Sequence, residues 1–105
     1  MELYEDTINK CGTYLLQEDD VIIGYNIFEE FDTGVTSFLH VETLERLNDA
    51  EFISDEVMYK SSILRNLVLE LQKSDTWNVN SVRTAPEWRK VLELADEIKG
   101  NLAAD

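Results

Sequence analysis

The 105-residue sequence is poor in the residues that build most catalytic and metal sites: it has one cysteine, one histidine, one proline and four glycines. A lone cysteine cannot form an internal disulfide, so nothing in the sequence requires an oxidising compartment. No apolar run approaches the roughly 18 residues that span a bilayer, and the acidic N-terminus is unlike a secretory signal. We therefore expect a cytoplasmic protein with no membrane partner, folded as one domain over residues 1–105.

Positive charge is also scarce, with nine Lys and Arg residues against 22 Asp and Glu residues, which gives a net charge of −13. Such a chain repels nucleic acid and anionic lipid, because binding to either needs Lys and Arg to neutralise phosphate. The charge is segregated along the chain. The acidic segment, residues 17–59, holds twelve carboxylates and one cation, Arg46, whereas residues 60–99 hold seven cations and six carboxylates. Solubility alone does not require this segregation, so we expect the acidic segment to face a cationic partner.

The residues that are present form no catalytic or cofactor-binding motif. The sequence contains no GxxxxGK[ST] or GxGxxG phosphate loop, no EF-hand pattern and no Glu-x-x-His pair of the di-iron type. Cys11 falls on the apolar face of a predicted helix, where an inert core thiol is expected. His40 is expected to be a hydrogen-bonded structural histidine. We expect no enzyme activity, no cofactor and no metal.

The spacing of apolar residues predicts an all-α protein, a compact bundle of four to five helices in a single domain. A first helix is expected over residues 2–16, followed by a turn over residues 17–20. Residues 21–31 fit two structures, because their apolar residues alternate as in a strand and also recur at helical spacing. A helix is favoured, since a lone strand has no partner for its backbone hydrogen bonds.

The second half of the chain carries clearer helix signals. A turn is expected at residues 32–34, with Gly34 ending a helix, and Thr36 or Ser37 is expected to cap a short helix up to Leu47. Ser54 is the predicted N-cap of the longest helix, residues 55–73. A polar connection over residues 74–83 is followed by a capping box, residues 84–87, that starts the last helix.

Aromatic residues separate into two groups. Trp77 and Trp88 are expected in the core. Tyr25, Phe28 and Phe31 together carry more aromatic surface than one short helix usually buries, so one or two of these rings are expected at the surface. An exposed ring among carboxylates has the anatomy of an interface anchor within a charged rim. The candidate partner-binding residues are Asp19, Asp20, Tyr25, Glu29, Glu30 and Asp32.

Two segments support a family resemblance: EEFDTGVTSFLH at residues 29–40 and WNVNSVRTAPEWRKVLELAD at residues 77–96. Together with the small size, the acid concentrated in one half and the absence of a catalytic set, they resemble the small acidic immunity proteins of bacterial toxin systems. These systems include contact-dependent growth inhibition and the colicin-like nuclease toxins. The Tyr-Tyr-Pro signature of the immunity proteins of DNase colicins is absent. The resemblance implies a monomer, or a 1:1 complex with a basic toxin domain that it neutralises.

Two other functions are compatible with the same residues. The chain would equally suit a non-enzymatic helical adaptor or regulatory domain whose acidity serves solubility only. An enzyme that uses the acids with a divalent metal is a third reading, which the solvated-face interpretation of the acids disfavours.

Overall fold

The computed structural model describes residues 1–104, which contain helices and no strand, so the predicted all-α class is confirmed. The helices over residues 55–72 and 86–104 pack against each other more extensively than any other pair. The molecule measures 38 × 26 × 21 Å. Its helical segments are α1 (Glu2–Asn9), a 3₁₀ segment (Thr13–Gln17), α2 (Asp20–Ile23), a π segment (Gly24–Phe31), α3 (Asp32–Phe38), α4 (Val41–Asp49), α5 (Asp55–Gln72), α6 (Val79–Thr84) and α7 (Pro86–Ala104).

Helix α2, the π segment and α3 form one continuous rod, because the junction residues Ile23 and Asp32 both keep right-handed helical backbone angles. The favoured helix over residues 21–31 is therefore confirmed and the strand alternative is excluded. The buried side chains of this rod recur every four residues: Ile23, Ile27, Phe31 and Val35. In a regular α-helix that spacing drifts by about 40° at each step. The wider π turn, with its i→i+5 hydrogen bonds, offsets the drift and keeps all four side chains in the core.

The single helix expected over residues 2–16 is interrupted, because α1 ends at Asn9 and the backbone is extended at Gly12. Two side chains of α7 hold this break. Asp96 accepts hydrogen bonds from the backbone N–H and the hydroxyl of Thr13, and Lys99 donates to the carbonyl of Cys11 at 2.7 Å. The helical periodicity of residues 2–16 gave no sign of these partners, which lie more than 80 residues away in the sequence.

The predicted turn at residues 32–34 is wrong, since α3 runs through it and ends only at Phe38. Gly34 is buried where α3 crosses α1, and a Cβ atom there would overlap the side chain of Thr7. Glycine serves close helix approach here, not a helix end. The predicted caps Thr36 and Ser37 lie inside α3, and His40 caps α4 instead, with its Nδ1 accepting from the backbone N–H of Glu42 at 3.3 Å. The structural role expected of His40 is thus confirmed, although its side chain is exposed.

The helix predicted over residues 55–73 is confirmed as α5, with Ser54 as its N-cap accepting from the Val57 N–H at 3.2 Å. It is not the longest helix as predicted, since α5 has 18 residues and α7 has 19. The connection after it is partly helical, because Asn78 caps α6 in the same way. The predicted capping box is wrong. Thr84 is the last residue of α6, and α7 begins after Ala85, whose carbonyl accepts from the backbone N–H of Arg89 at 3.1 Å, so Thr84 does not hold the N-cap position of α7.

The aromatic core lies between the rod and α7. Trp88 is fully buried and donates from its indole nitrogen to the carbonyl of Thr76 at 2.6 Å. Phe28 contacts Trp77 edge to face, with ring centroids 5.0 Å apart. Trp88 therefore belongs to the core, as predicted, whereas Trp77 is partly buried and packs against it. Cys11 is also fully buried, and this burial raises the pKa of its thiol, as expected for an unreactive core residue.

Candidate protein-binding surfaces

The structure separates the three aromatic residues of the rod by exposure. Phe31 is sealed in the core, Phe28 is half-buried, and Tyr25 leaves 50% of its surface exposed. The expectation that one or two of these rings reach the surface is therefore confirmed for Tyr25. Among the six predicted partner-binding residues, Glu30 and Asp32 are half-buried, and the exposed ones are Asp19, Asp20, Tyr25 and Glu29.

Three of the six residues line one cleft, which we call the Tyr25 cleft, with a volume of about 510 Å³ between the rod and α1. The Tyr25 hydroxyl donates a hydrogen bond of 2.6 Å to Oε1 of Glu30. This acceptor, together with the negative charges of Glu30 and Glu29, raises the pKa of Tyr25 above its ordinary value of 10.0. The cleft is lined by Leu3, Asp6, Thr7, Lys10, Tyr25, Glu29, Glu30, Thr33, Gly34 and Phe38.

The other three predicted residues make structural contacts away from this cleft. Asp19 caps α2, with its Oδ1 accepting from the Ile22 N–H at 2.9 Å. Asp20 forms an ion pair of 2.9 Å with Arg83 of α6. Asp32 accepts a hydrogen bond from the side chain of Gln72 in α5. The sequence therefore predicted six residues of one surface, and the structure brings only Tyr25, Glu29 and Glu30 together.

A second surface, which the sequence did not indicate as a site, lies where α4 meets α5; we call it the α4–α5 face. Two large apolar side chains are exposed on it, Val41 at 47% and Tyr59 at 68%. Phe52, which is 58% exposed, lies at the connection between the helices and lines a separate cleft with Glu51 and Asp55. A groove of about 220 Å³ between the two helices is lined by Val41, Leu44, Glu45, Met58, Tyr59 and Ser62.

The sequence signal that would have predicted this face is an apolar residue that lies outside the helical spacing of the buried residues. The buried side chains of α5 are Val57, Ser61, Leu64, Val68 and Leu71, which follow helical spacing, and Tyr59 falls off that stripe. Phe52 lies in the short connection before α5, outside any helical stripe. In this chain, large apolar residues that lie outside the buried stripe of a helix are therefore the ones to expect at the surface.

Carboxylates are frequent on α4, on its connection to α5 and at the start of α5, and one of them, Glu45, lines the groove. Within residues 1–104, five exposed acids there form no ion pair: Glu42, Glu45, Asp49, Glu51 and Asp55. The neighbouring Lys60 is already engaged, since its Nζ lies 3.1 Å from Glu56 and 3.8 Å from Glu97. Arg46 is the one cation of the acidic segment and is itself exposed on α4. The face therefore combines apolar side chains with negative charge that no cation neutralises directly.

Glu51, between α4 and α5, has a strained backbone. Its φ of 65° makes it the one non-glycine residue with positive φ among residues 1–104. The N–H groups of Phe52 and Glu51 donate to the carbonyls of Leu47 and Asn48, which is the Schellman ending of a helix. Glycine is the usual residue at this position, and a side chain there costs about 1–2 kcal/mol. The chain therefore carries a carboxylate where the fold alone would favour glycine.

Residues 1–104 contain no group of three or more His, Cys, Asp and Glu side chains arranged to hold a metal ion. Within the same residues, no helix combines the length and the apolar character needed to cross a bilayer. A third cleft of about 460 Å³, between the end of α5 and the start of α7, is lined by Leu67, Glu70, Leu71, Ser74, Asp75, Thr76, Glu87 and Lys90. It contains no histidine or cysteine and no feature that points to a ligand.

The fold and these surfaces define a small helical protein with two exposed acidic and apolar faces. A scan against protein-family models finds no match for this chain, and neither the curated proteins nor the solved structures contain one.

Proposed function

We propose that this protein is a cytoplasmic immunity protein that binds a cationic toxin domain of the nuclease class. It neutralises the toxin by covering its substrate-binding surface. The observation that carries the proposal is the exposure of three rings of the acidic segment, Tyr25, Phe52 and Tyr59, among carboxylates. A chain whose acidity served only solubility has no need to leave these rings in water.

The partner class follows from charge. A nuclease groove is basic because it binds phosphate, and the acidic segment, with twelve carboxylates and one cation, can meet it in place of nucleic acid. Complementary charge of this size raises the association rate constant toward about 10⁸–10⁹ M⁻¹s⁻¹ at low salt. For a neutral pair this constant is about 10⁵–10⁶ M⁻¹s⁻¹. Fast capture suits a cell that must keep no free toxin.

The Tyr25 cleft supplies the direct contacts in this proposal. Tyr25 is the aromatic anchor, and Glu29 and Glu30 beside it meet cationic side chains of the partner. Asp19, Asp20 and Asp32 lie outside the cleft and contribute through the negative field of the same rod. The ion pair between Asp20 and Arg83 is exposed, so it weakens this field only in part.

The test is growth rescue by co-expression. The domain encoded beside this gene is expressed from an inducible promoter, alone and together with this chain. We expect growth arrest by the domain alone, growth restored by the wild-type chain, and a stoichiometric complex on gel filtration. A neighbouring domain that does not inhibit growth, or an arrest that this chain does not relieve, contradicts the proposal.

The alternative is a helical adaptor whose partner is apolar, and the groove of the α4–α5 face favours it. Ionic strength separates the two functions, because screening weakens an association driven by exposed charge and barely affects one driven by apolar burial. An affinity for the neighbouring domain that stays constant between low and high salt supports the adaptor.

A further inference from the structure

The α4–α5 face has the form of a groove that receives a helix. Its floor and walls are apolar, formed by Val41, Leu44, Met58 and Tyr59, and it runs between two helices. A methionine in such a wall adapts to different side-chain shapes. Recognition of this kind places the apolar stripe of an amphipathic helix into the groove.

Charge decides which helix fits. Glu45 lies in the groove wall, and Glu42 follows the lining residue Val41 on the same helix; among the described residues both are exposed and neither forms an ion pair. A second copy of this chain would bring its own net charge of −13 against the same acids. A helix whose apolar stripe is flanked by Lys and Arg satisfies both features at once.

The composition of the face argues that it has an occupant. Val41 leaves 47% and Tyr59 leaves 68% of its surface in water, and both line the groove. Exposed apolar side chains lower solubility, and contiguous patches of them mark interaction sites.

We propose that the α4–α5 face binds an amphipathic, Lys/Arg-flanked helix of the partner protein, with Val41 and Tyr59 as the apolar contacts. The inference rests on the proposed function, since it assigns this helix to the toxin. The two surfaces then affect different rate constants of binding. The Tyr25 cleft and its field govern association, whereas burial of Val41 and Tyr59 slows dissociation.

The first experiment needs no toxin. The full chain, labelled with ¹⁵N, is titrated with a synthetic peptide that carries Leu at i, i+3, i+4 and i+7 and Lys elsewhere. Two control peptides are a scrambled sequence of the same composition and a version with Glu in place of Lys. We expect chemical-shift changes confined to α4, α5 and their connection with the Leu/Lys peptide, and weak changes with both controls. Equal binding of the scrambled peptide, or shifts centred on the Tyr25 cleft, overturns the inference.

Matched variants make the result specific. Val41→Ser combined with Tyr59→Ser is expected to weaken peptide binding at least about tenfold, because two apolar contacts are lost. Val21→Ser is the control, since Val21 is 79% exposed and lies outside the face. Tyr59→Phe, which keeps the ring, is expected to retain affinity. An unchanged affinity in the double variant, with a wild-type circular dichroism melt, contradicts the inference.

Two further measurements separate this inference from the proposed function. Sedimentation of the free chain tests for a second copy on the face, and a dimer that Tyr59→Ser disrupts would replace the inference with self-association.

With the toxin domain available, the double variant is expected to dissociate from it at least about tenfold faster, with little change in the association rate constant. If wild-type rescue succeeds but dissociation is unchanged, the inference fails and the immunity function stands. If the Leu/Lys peptide binds but no rescue occurs, the surface stands and its assignment to a toxin fails.

Discussion

Tyr25 and Glu30 are five residues apart, and the phenol donates a hydrogen bond of 2.6 Å to the carboxylate. In a regular α-helix, residues five apart point about 140° away from each other around the axis. The π segment closes its hydrogen bonds between residues i and i+5, so it places Glu30 one turn from Tyr25 on the same side. The ring and carboxylate of the Tyr25 cleft are neighbours because of this irregular backbone.

Glu30→Gln is expected to lower the pKa of Tyr25 toward 10.0, because it removes the charged acceptor and one nearby negative charge. Absorbance of tyrosinate against pH, with Tyr25→Phe identifying the transition, measures the change. Since the folded pKa lies above the unfolded one, the contact stabilises the fold below the unfolded pKa and is lost as pH rises through the folded value. Glu42→Gln, a charge removed from α4, is the control, and a transition of Tyr25 that does not respond to Glu30→Gln refutes the assigned cause.

Reversing two charges in the Tyr25 cleft tests the electrostatic part of the proposed function. Glu29→Lys with Glu30→Lys is expected to slow association with the toxin domain at least about tenfold at low salt and to flatten its salt dependence. Stopped-flow kinetics measure the rate, and thermal melting confirms the fold. Glu70→Lys with Glu87→Lys changes the net charge equally outside the acidic segment. Equal slowing by both pairs would show that net charge, and not the cleft, steers association.

Gly34→Ala is expected to destabilise the fold by about 1–3 kcal/mol, because the added Cβ would overlap the buried Thr7 side chain where α1 crosses α3. Urea denaturation measures the change in the free energy of unfolding. Gly100→Ala is the matched control within α7, where a Cβ meets nothing within 4 Å and alanine should stabilise by about 0.5–1 kcal/mol. A neutral Gly34→Ala would mean that the two helices can separate at no cost.

Glu51→Gly is expected to stabilise the protein by about 1 kcal/mol, because glycine accepts the positive φ that strains a glutamate. Glu45→Gly, inside α4, removes the same charge and is expected to destabilise by about 1 kcal/mol. The same urea experiments compare the two variants. Loss of stability in Glu51→Gly would show that the glutamate side chain makes a stabilising contribution larger than its backbone strain.

Local signals in the sequence predicted the elements that they alone control. Ser54 starts α5 as expected, because an N-cap needs only its own side chain and the amide three residues later. The buried row of α7 follows its helical spacing for the same reason. Thr84 resembled an equally local signal, yet α6 ends on this residue, so the Thr84 backbone is helical and not in the extended conformation of an N-cap. A local motif fails when a neighbouring element competes for the same atoms.

The candidate site was predictable only in part. Excess acid in residues 17–59 and an exposed Tyr25 follow from composition and from the limited burial that one helix offers. The spacing of four residues through Ile23, Ile27 and Phe31 indicated a helix but did not distinguish an α-helix from a π segment, because an apolar α-helical stripe also contains residues four apart. The exposure of Phe52 and Tyr59 depends on how α4 and α5 meet, which no periodicity within one element describes.

The sequence by itself determined the helical class, the lack of a metal or nucleotide motif, and the concentration of negative charge in one segment. These properties depend on composition and on interactions within a few residues. The tertiary structure alone decided where α1 breaks, that Gly34 serves a helix crossing, and which rings remain in water. The physical reason is distance along the chain: Asp96 and Lys99 reach the backbone at residues 11–13, and Thr7 covers Gly34, through contacts that exist only once the helices have packed.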